Sequence, residues 1–575
     1  MQRVRPVVVT SLKIGKIADA YLIQSKTVIA MALDTPVLIV GAGPIGLVLA
    51  SELAHHGVRC ILAERNFETT RWPKMDLTNC RTMELMRRLG LADALRTVGV
   101  PSNHSFDVKF STGLAGHLIT NWKMPSVDEA RREIVRRNDG TLPREPYQRC
   151  SQAIFEAWLK EVCIGNPLID VRSGWRCDSV EETDDGVVAT FDVGGETHQL
   201  TASYVVGCDG ASSVVRRSLG IGLDGGPVPG YACLVHFKSR DLSVLHAQGQ
   251  FWHIFFAHGA VIIAQDEVDT WTVHKFFPLD VDPNSHEPHS IIKQSILHEI
   301  RVDEILVNSI YRPTLAVADS YGRGRIFLAG DSAHQNIPTG GYGMNTGVGD
   351  AVDIGWKLAA VINGWGGRGL LDSYGPERRP VAARNVERSG RHFRVHERWW
   401  SMVDRDLIDA DTEAGRQHRA TIADFIQSER GENEDIGVEL GYRYGDSPVI
   451  AHPSGERIPH WLPGTYTPTT WPGGRPPSIF LSDGRAIFDL FGPEFTLVDF
   501  HDDDSAARPI VAAANRRGLP LTHLRLHGER RARSMYERAL VLVRPDMHVA
   551  WRGDEAPEQP DQMIDLVRGV ATAPA

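Results

Sequence analysis

The 575-residue chain is poor in cysteine. It has seven, at positions 60, 80, 150, 163, 177, 208 and 233, with no CxxC pair and none further on. An odd, early set of this kind excludes a secreted disulfide framework and zinc-ligand spacing, so no metal site is expected. A reducing, cytoplasmic compartment fits best. The chain also lacks surplus positive charge: 62 Lys and Arg stand against 72 Asp and Glu, a formal net charge of -10. Nothing would neutralise phosphates in bulk, which excludes a nucleic-acid or anionic-membrane partner. A local basic cleft for a cofactor phosphate stays open. Long apolar runs are missing as well. The uncharged stretch 36–51 is shorter than the ~20 residues of a membrane helix, and Gly and Pro interrupt it. Acids are nearly absent from residues 1–33, where Arg3, Arg5, Lys13, Lys16 and Lys26 face Asp19 alone. Residues 1–34 therefore read as an N-terminal extension, either leader-like or lying upstream of a start at Met31.

What is present is ordinary for a globular protein: 42% hydrophobic and 23% charged residues. At ~150 residues per domain the length suggests two to four domains. Residues 36–64 read strand, glycine turn, helix, strand. Met83, Leu85, Met86, Leu89, Leu91, Leu95 and Val98 recur near helical spacing, and 150–164 forms a second amphipathic helix. From about 226 to 305 the pattern turns to short runs such as 260–264 and 271–277, which read as an antiparallel sheet inserted into a domain spanning 35–395. Residues 396–455 are charged and read as a helical linker. Five prolines and three glycines between 461 and 477 mark a loop, and 456–575 reads as a separate α/β domain.

The first motif is Gly41-Ala-Gly43-Pro44-Ile45-Gly46 after an apolar strand. Gly41 permits a tight turn, Gly43 lets backbone approach a pyrophosphate, and Gly46 lets helix and sheet pack closely. Pro44 suits the first helical turn, where its missing N–H would be unpaired anyway. The helix N-terminus offers N–H groups and partial positive charge to phosphates. Glu64 ends the next strand, followed by Arg65, and an acid there suits an unphosphorylated ribose. This pattern implies dinucleotide binding; a glycine-rich packing turn is the bland alternative.

The second motif lies about 290 residues downstream: Arg325-Ile-Phe-Leu-Ala-Gly330-Asp331. Gly330 would let a ligand lie on the backbone, and Asp331 could bind a polyol hydroxyl. FAD carries a ribityl chain and NAD does not; a capping Asp at a strand end is the plain reading. The loop Pro338-Thr-Gly-Gly-Tyr-Gly343-Met344-Asn345 then feeds a helix. A helix N-terminus at the flavin pyrimidine edge would stabilise the charge that gathers there on reduction.

The set GAGPIG, GCDGASSVVRRSLG (207–220), GRIFLAGDSAHQNIPTGGYGMNTGVGDAVDIGWKL (324–358) and SYGPERRPVA (373–382) resembles the class A flavoprotein aromatic monooxygenases, within them the phenol-type hydroxylases. The resemblance implies a Rossmann-like FAD-binding domain with an inserted substrate sheet. It also implies a thioredoxin-like C-terminal domain without redox cysteines, structural or homodimer-forming. It carries Asp209 onto a motif linked to FAD and NAD(P)H, Asp331 onto the ribityl-binding aspartate and Gln152 onto a FAD-contacting glutamine. Met344 and Asn345 fall at the isoalloxazine edge and Pro338 near its reactive face. The implied activity is hydroxylation of a phenolic substrate with NAD(P)H and O2 through a flavin C4a-hydroperoxide. Epoxidation or Baeyer–Villiger chemistry on a polycyclic natural product is the alternative.

Three positions depart from the family pattern, one of them Asp353, which stands where many relatives have Asn. Lys74 and Asp76 stand where relatives often have Arg and His. Lys74 keeps the charge but loses a bidentate fork. The base that activates the phenol is left among Asp76, Tyr231, His236, His253 and His274. No second GxGxxG is present, which suits an NAD(P)H that docks transiently.

Overall fold

The computed structural model describes residues 33–570 apart from 75, 267, 283–285 and 454. The N-terminal extension thus lies outside the described residues except for its last two positions.

An eight-stranded sheet is built on Thr35–Val40, whose run Val37-Leu-Ile-Val is buried on both faces, as the centre of a parallel sheet requires. Its main path runs Gly322–Arg323, Ile326–Leu328, Glu196–Gly207, Thr35–Val40, Cys60–Glu64, Ile169–Ser173. Off this path, Gly186–Val193 pairs with Glu196–Gly207, and Arg176–Thr183 pairs in turn with Gly186–Val193. The central strands are parallel, and their register decides the architecture of the site. Val40 is level with Gly207 and Ala63, and Gly207 is level with Leu328. Four strand ends therefore finish at one edge, and within two residues of these level positions stand Gly41, Glu64, Asp209 and Gly330. Open α/β sheets bind ligands at this carboxyl edge.

A second, seven-stranded sheet runs Glu304–Tyr311, Tyr231–Lys238, Thr270–Phe277, Ala260–Ala264, His253–Phe256, Val108–Ser111, Leu118–Trp122. It reaches beyond the 226–305 segment by recruiting the strands at 108–122. It is also not purely antiparallel, because His253–Phe256 pairs parallel with Val108–Ser111. Alternation sets its faces. Tyr231, Cys233, Val235, Phe237, Trp271 and Val273 point into a core with Ile291, Ile292 and Ile296 of the helix Pro288–Ile296. His236, Thr272, Ile263 and His253, directly paired across four strands, point the other way.

The helix Arg368–Met402 runs without a break through residues 395 and 396. Beyond it, a four-stranded sheet runs Leu521–Arg525, Phe495–Asp499, Leu540–Val543, Val549–Gly553. The first pair is parallel, joined through the helix Arg508–Arg517, and the other pairs are antiparallel. This sheet does not stand apart. Phe495, Leu497, Leu540 and Leu542 share a core with Trp356, Ala360 and Leu370 of the preceding helices.

Candidate active site

The early glycine turn and the late Gly-Asp loop meet. A Cβ on Gly330 would lie 2.7 Å from Ile45 Cγ1, and one on Gly347 would lie 2.6 Å from Ile45 Cδ1 and 3.0 Å from Gly330 Cα. Ile45 is thus wedged between the two segments. Gly41 has φ +104, and a Cβ there would sit 2.5 Å from the Cys208 carbonyl oxygen and 3.0 Å from Asp209 Cα. Only glycine fits that turn.

The charged groups of the edge are mostly held by backbone. Glu64 accepts from Ala42 N–H at 2.9 Å and from Asn66 N–H at 2.9 Å, so it also braces the turn. Arg65 is exposed. One Asp209 oxygen accepts from Val214 and Val215 N–H at 2.6 and 3.1 Å, while its other oxygen is buried without a partner. Gln152 donates to Glu156 at 2.5 Å, and burial raises the Glu156 carboxyl. Asp331 is exposed at this edge, and desolvation outweighs His334 and Lys74 and raises its carboxyl too. Gly330 N–H donates to Asp350 at 3.1 Å, and Asp350 is anchored by Arg378 at 2.8 Å and His334 at 2.9 Å.

The helix Tyr342–Ile362 opens after two left-handed glycines, Gly340 and Gly341, with Pro338 exposed ahead of them. Its first N–H groups have no intrahelical acceptor. Gly343 and Met344 are half-buried in this first turn. The Asn345 side chain is not free: it accepts from Asn79 N–H at 2.9 Å and donates to Leu77 O at 3.0 Å and Gly341 O at 2.7 Å. It clamps the 77–79 segment to the loop.

These features fit FAD. The orphaned Asp209 oxygen asks for a donor, the Gly43 backbone is open, with no atom closer than 4.0 Å to an added Cβ, and Asp331 is exposed at the same edge. The helix start supplies unpaired N–H groups beside them.

Among the base candidates the structure brings two together. Trp252 Nε1 donates to Asp76 Oδ2 at 2.5 Å, and His253 Nε2 lies 3.6 Å from the same oxygen with no hydrogen bond of its own. Burial pushes the Asp76 carboxyl up, but His253, Trp252 and Arg149 outweigh it and hold the group below the usual range. His274 is on the same face, its ring 3.1 Å from the Tyr311 hydroxyl, and burial pulls it down to about 4. His236 shares that face but lies three strands from His253. Tyr231 does not belong to the group. Strand alternation turns it to the opposite face, where its hydroxyl donates to Val281 O at 2.6 Å.

Sequence reasoning missed part of the site. Glu432 accepts from Gly340 N–H at 3.3 Å and from His396 at 2.5 Å. His396 stacks on Phe255 of the sheet, ring centroids 4.2 Å apart. Burial opposes ionisation of Glu432, yet His396, His392 and His253 hold its carboxyl down to about 2. The available signal was His392, His396 and Trp400 at four-residue spacing on one helix, the last two inside the segment 396–455 read as a helical linker.

Known proteins agree with this geometry. The FAD binding domain family matches residues 34–389, and the aromatic-ring hydroxylase C-terminal family matches 469–574. FAD-dependent monooxygenase apdD of Emericella nidulans is 46% identical over 561 residues, 93% of this chain and 90% of that one. FAD-dependent monooxygenase opdD of Penicillium oxalicum is 44% identical over 511 residues, 84% of this chain and 96% of that one. The solved structure of the rebeccamycin biosynthetic enzyme RebC with reduced flavin superposes with a TM-score of 0.83 at 33% identity, over 94% of this chain and 99% of that one. This chain belongs to the FAD-dependent monooxygenases, flavoproteins that hydroxylate aromatic rings.

Proposed function

We propose that the substrate is a phenol-bearing aromatic held between the front face of the seven-stranded sheet and the 338–345 loop, and that Asp76 and His253 handle its proton. The observation that carries this reading is the shared oxygen of Asp76, which meets Trp252 Nε1 and faces His253 Nε2. Bound FAD, reduced by NAD(P)H, supplies the redox chemistry that sends one atom of O2 to the ring and the other to water.

The protein's own part is positional and protolytic. Asp76, held ionised, orients the imidazole through Nε2, as a carboxylate does for a general-base histidine. His253 Nδ1, turned away from Asp76, takes the phenol proton. The resulting phenolate is richer in electrons at the carbon to be hydroxylated. The paired carboxylate stabilises the imidazolium that forms. Phe110, Trp252, Phe255 and Trp399, buried around the pair, exclude water. Gly41, Gly43, Pro44, Gly46, Glu64, Gln152, Asp209, Gly330, Asp331, Gly343 and Met344 would hold the FAD, and Asn345 positions the loop. The parallel-then-antiparallel order of the last sheet supports the thioredoxin-like reading of the C-terminal domain.

The test is Asp76→Asn in the FAD-loaded enzyme, assayed against a panel of phenols for hydroxylated product by mass spectrometry. Product formation should fall at least tenfold, in line with the ~10²–10⁴ contribution of general-base catalysis, while bound FAD stays stoichiometric. Undiminished product would remove Asp76 from the mechanism.

A further inference from the structure

We infer that the far end of the substrate face is a second binding point, formed by His236 and Gln265, which takes a hydrogen-bond donor on an extended, multi-ring aromatic. The inference rests on the proposed site at Asp76 and His253 and names the substrate class for it.

Register places the point. His253 pairs with Ile263, Ile263 with Thr272, and Thr272 with His236, so all four side chains share one face. Three interstrand steps at ~4.8 Å separate the ends, about 14 Å in all, which exceeds a single phenol ring. Gln265, in the bend just past the strand Ala260–Ala264, reaches the same end through its side-chain hydrogen bond to the Thr272 hydroxyl.

The chemistry at that end is one-sided. His236 Nδ1 lies 3.1 Å from the Trp271 carbonyl oxygen and 3.0 Å from Thr272 Oγ1. A carbonyl only accepts, so Nδ1 carries the hydrogen and Nε2 is left with its lone pair. Burial pulls His236 down to about 4, which keeps the ring neutral and Nε2 an acceptor at neutral pH. Gln265 Nε2 donates to the same Thr272 hydroxyl at 3.1 Å. Its Oε1 is buried with no partner, in a residue only 4% exposed. Two acceptors thus flank Thr272, and an unpaired buried acceptor is costly. A phenolic O–H or a ring or amide N–H would satisfy them; an ether or carbonyl oxygen would be repelled. A ligand with its reacting phenol at His253 and a donor at His236 must span the intervening rings.

The experiment uses the FAD-loaded full chain and two probes, a biphenyl with hydroxyls on both para carbons and its mono-methyl ether. Both offer one phenol to Asp76 and His253, but only the diol offers a distal donor. Affinity is read from quenching of flavin fluorescence, and product by mass spectrometry. The diol should bind about tenfold tighter than the ether, as one well-placed hydrogen bond allows. That ratio should collapse toward one in Gln265→Leu and in His236→Phe, and should persist in Gln265→Glu, which keeps the acceptor. Equal affinities in the unsubstituted protein, or a ratio that survives in both Leu and Phe variants, would overturn the second binding point. If neither probe is hydroxylated, the Asp76–His253 reading fails instead, and the affinity ratio still reports separately on the distal end.

Discussion

Arg544→Met should cost stability in a pH-dependent way whose size can be worked out. Arg544 comes from the C-terminal sheet and reaches three carboxylates: Glu377 at 2.7 and 2.8 Å, Asp353 at 3.0 Å and Asp546 at 2.7 Å. Lys357 completes the cluster at 2.7 Å from Asp353 and 2.6 Å from Glu377. All five side chains are buried. Three carboxylates against two cations leave one negative charge too many. Burial, with Glu377 and Asp546 beside it, raises the Asp353 carboxyl well above the usual range, the direction that relieves this surplus by protonation. Removing the guanidinium strands another negative charge. Truncating one partner of a buried pair costs ~3–5 kcal/mol. Taking up a second proton instead, on a group of ordinary pKa ~4.3, costs about 3.7 kcal/mol at pH 7 by the 1.36 kcal/mol per unit relation. The two routes agree near 4 kcal/mol. In the second route the folded variant binds one proton more than the folded unsubstituted protein does, so its deficit shrinks by about 1.4 kcal/mol for each unit the pH is lowered toward that pKa. Trp356 is a built-in reporter, fully buried with the Arg544 guanidinium 5.1 Å from its ring. Urea unfolding followed by tryptophan fluorescence near pH 7 and pH 5.5 should show the deficit and its decrease of about 2 kcal/mol. A deficit below about 1 kcal/mol near neutral pH, or one equal at both pH values, would refute the charge count.

Gly41→Ala should yield protein without bound FAD, because the new methyl meets the Cys208 carbonyl at 2.5 Å in a left-handed turn; yellow protein with full FAD occupancy would contradict this. Glu432→Ala should weaken FAD binding about tenfold, near 1.4 kcal/mol, by releasing the Gly340 N–H and His396; an unchanged dissociation constant from flavin fluorescence would exclude Glu432 as a loop anchor. His56 gives a pH dependence of opposite origin to acid denaturation. Burial lowers it, but hydrogen bonds to Glu494 at 2.8 Å and Glu52 at 3.0 Å win and raise it to about 9. A raised folded pKa means the contribution is complete below about 6.5 and is lost as the pH climbs toward 9. His56→Gln should flatten stability over that window in a denaturation series, and a slope equal to that of the unsubstituted protein would refute the assignment.

The sequence by itself determined the cofactor and the chemistry class. Glycine turns and strand-end acids are local devices: Gly41 must turn within one residue, and Gly330 with Asp331 must end one strand. Their types and order announce FAD before any contact is known. Side-chain parity was also written there, since Tyr231 and His236 are five residues apart and must face opposite ways on a regular strand, but nothing local says which face turns toward Asp76. Only the tertiary structure decided that. It set Val40 level with Gly207, and Gly207 level with Leu328, so that segments nearly 300 residues apart close on Ile45. It brought Asp76 from a loop to Trp252 and His253 at the start of a distant strand, and it turned Glu432 and His396 from a charged linker into a brace for the 338–345 loop. It also buried Arg544 against Asp353 and Glu377, acids of two other helices. Backbone conformation is dictated by neighbours in the chain, whereas pairing between distant groups depends on sheet register and helix packing, which no single stretch of residues encodes.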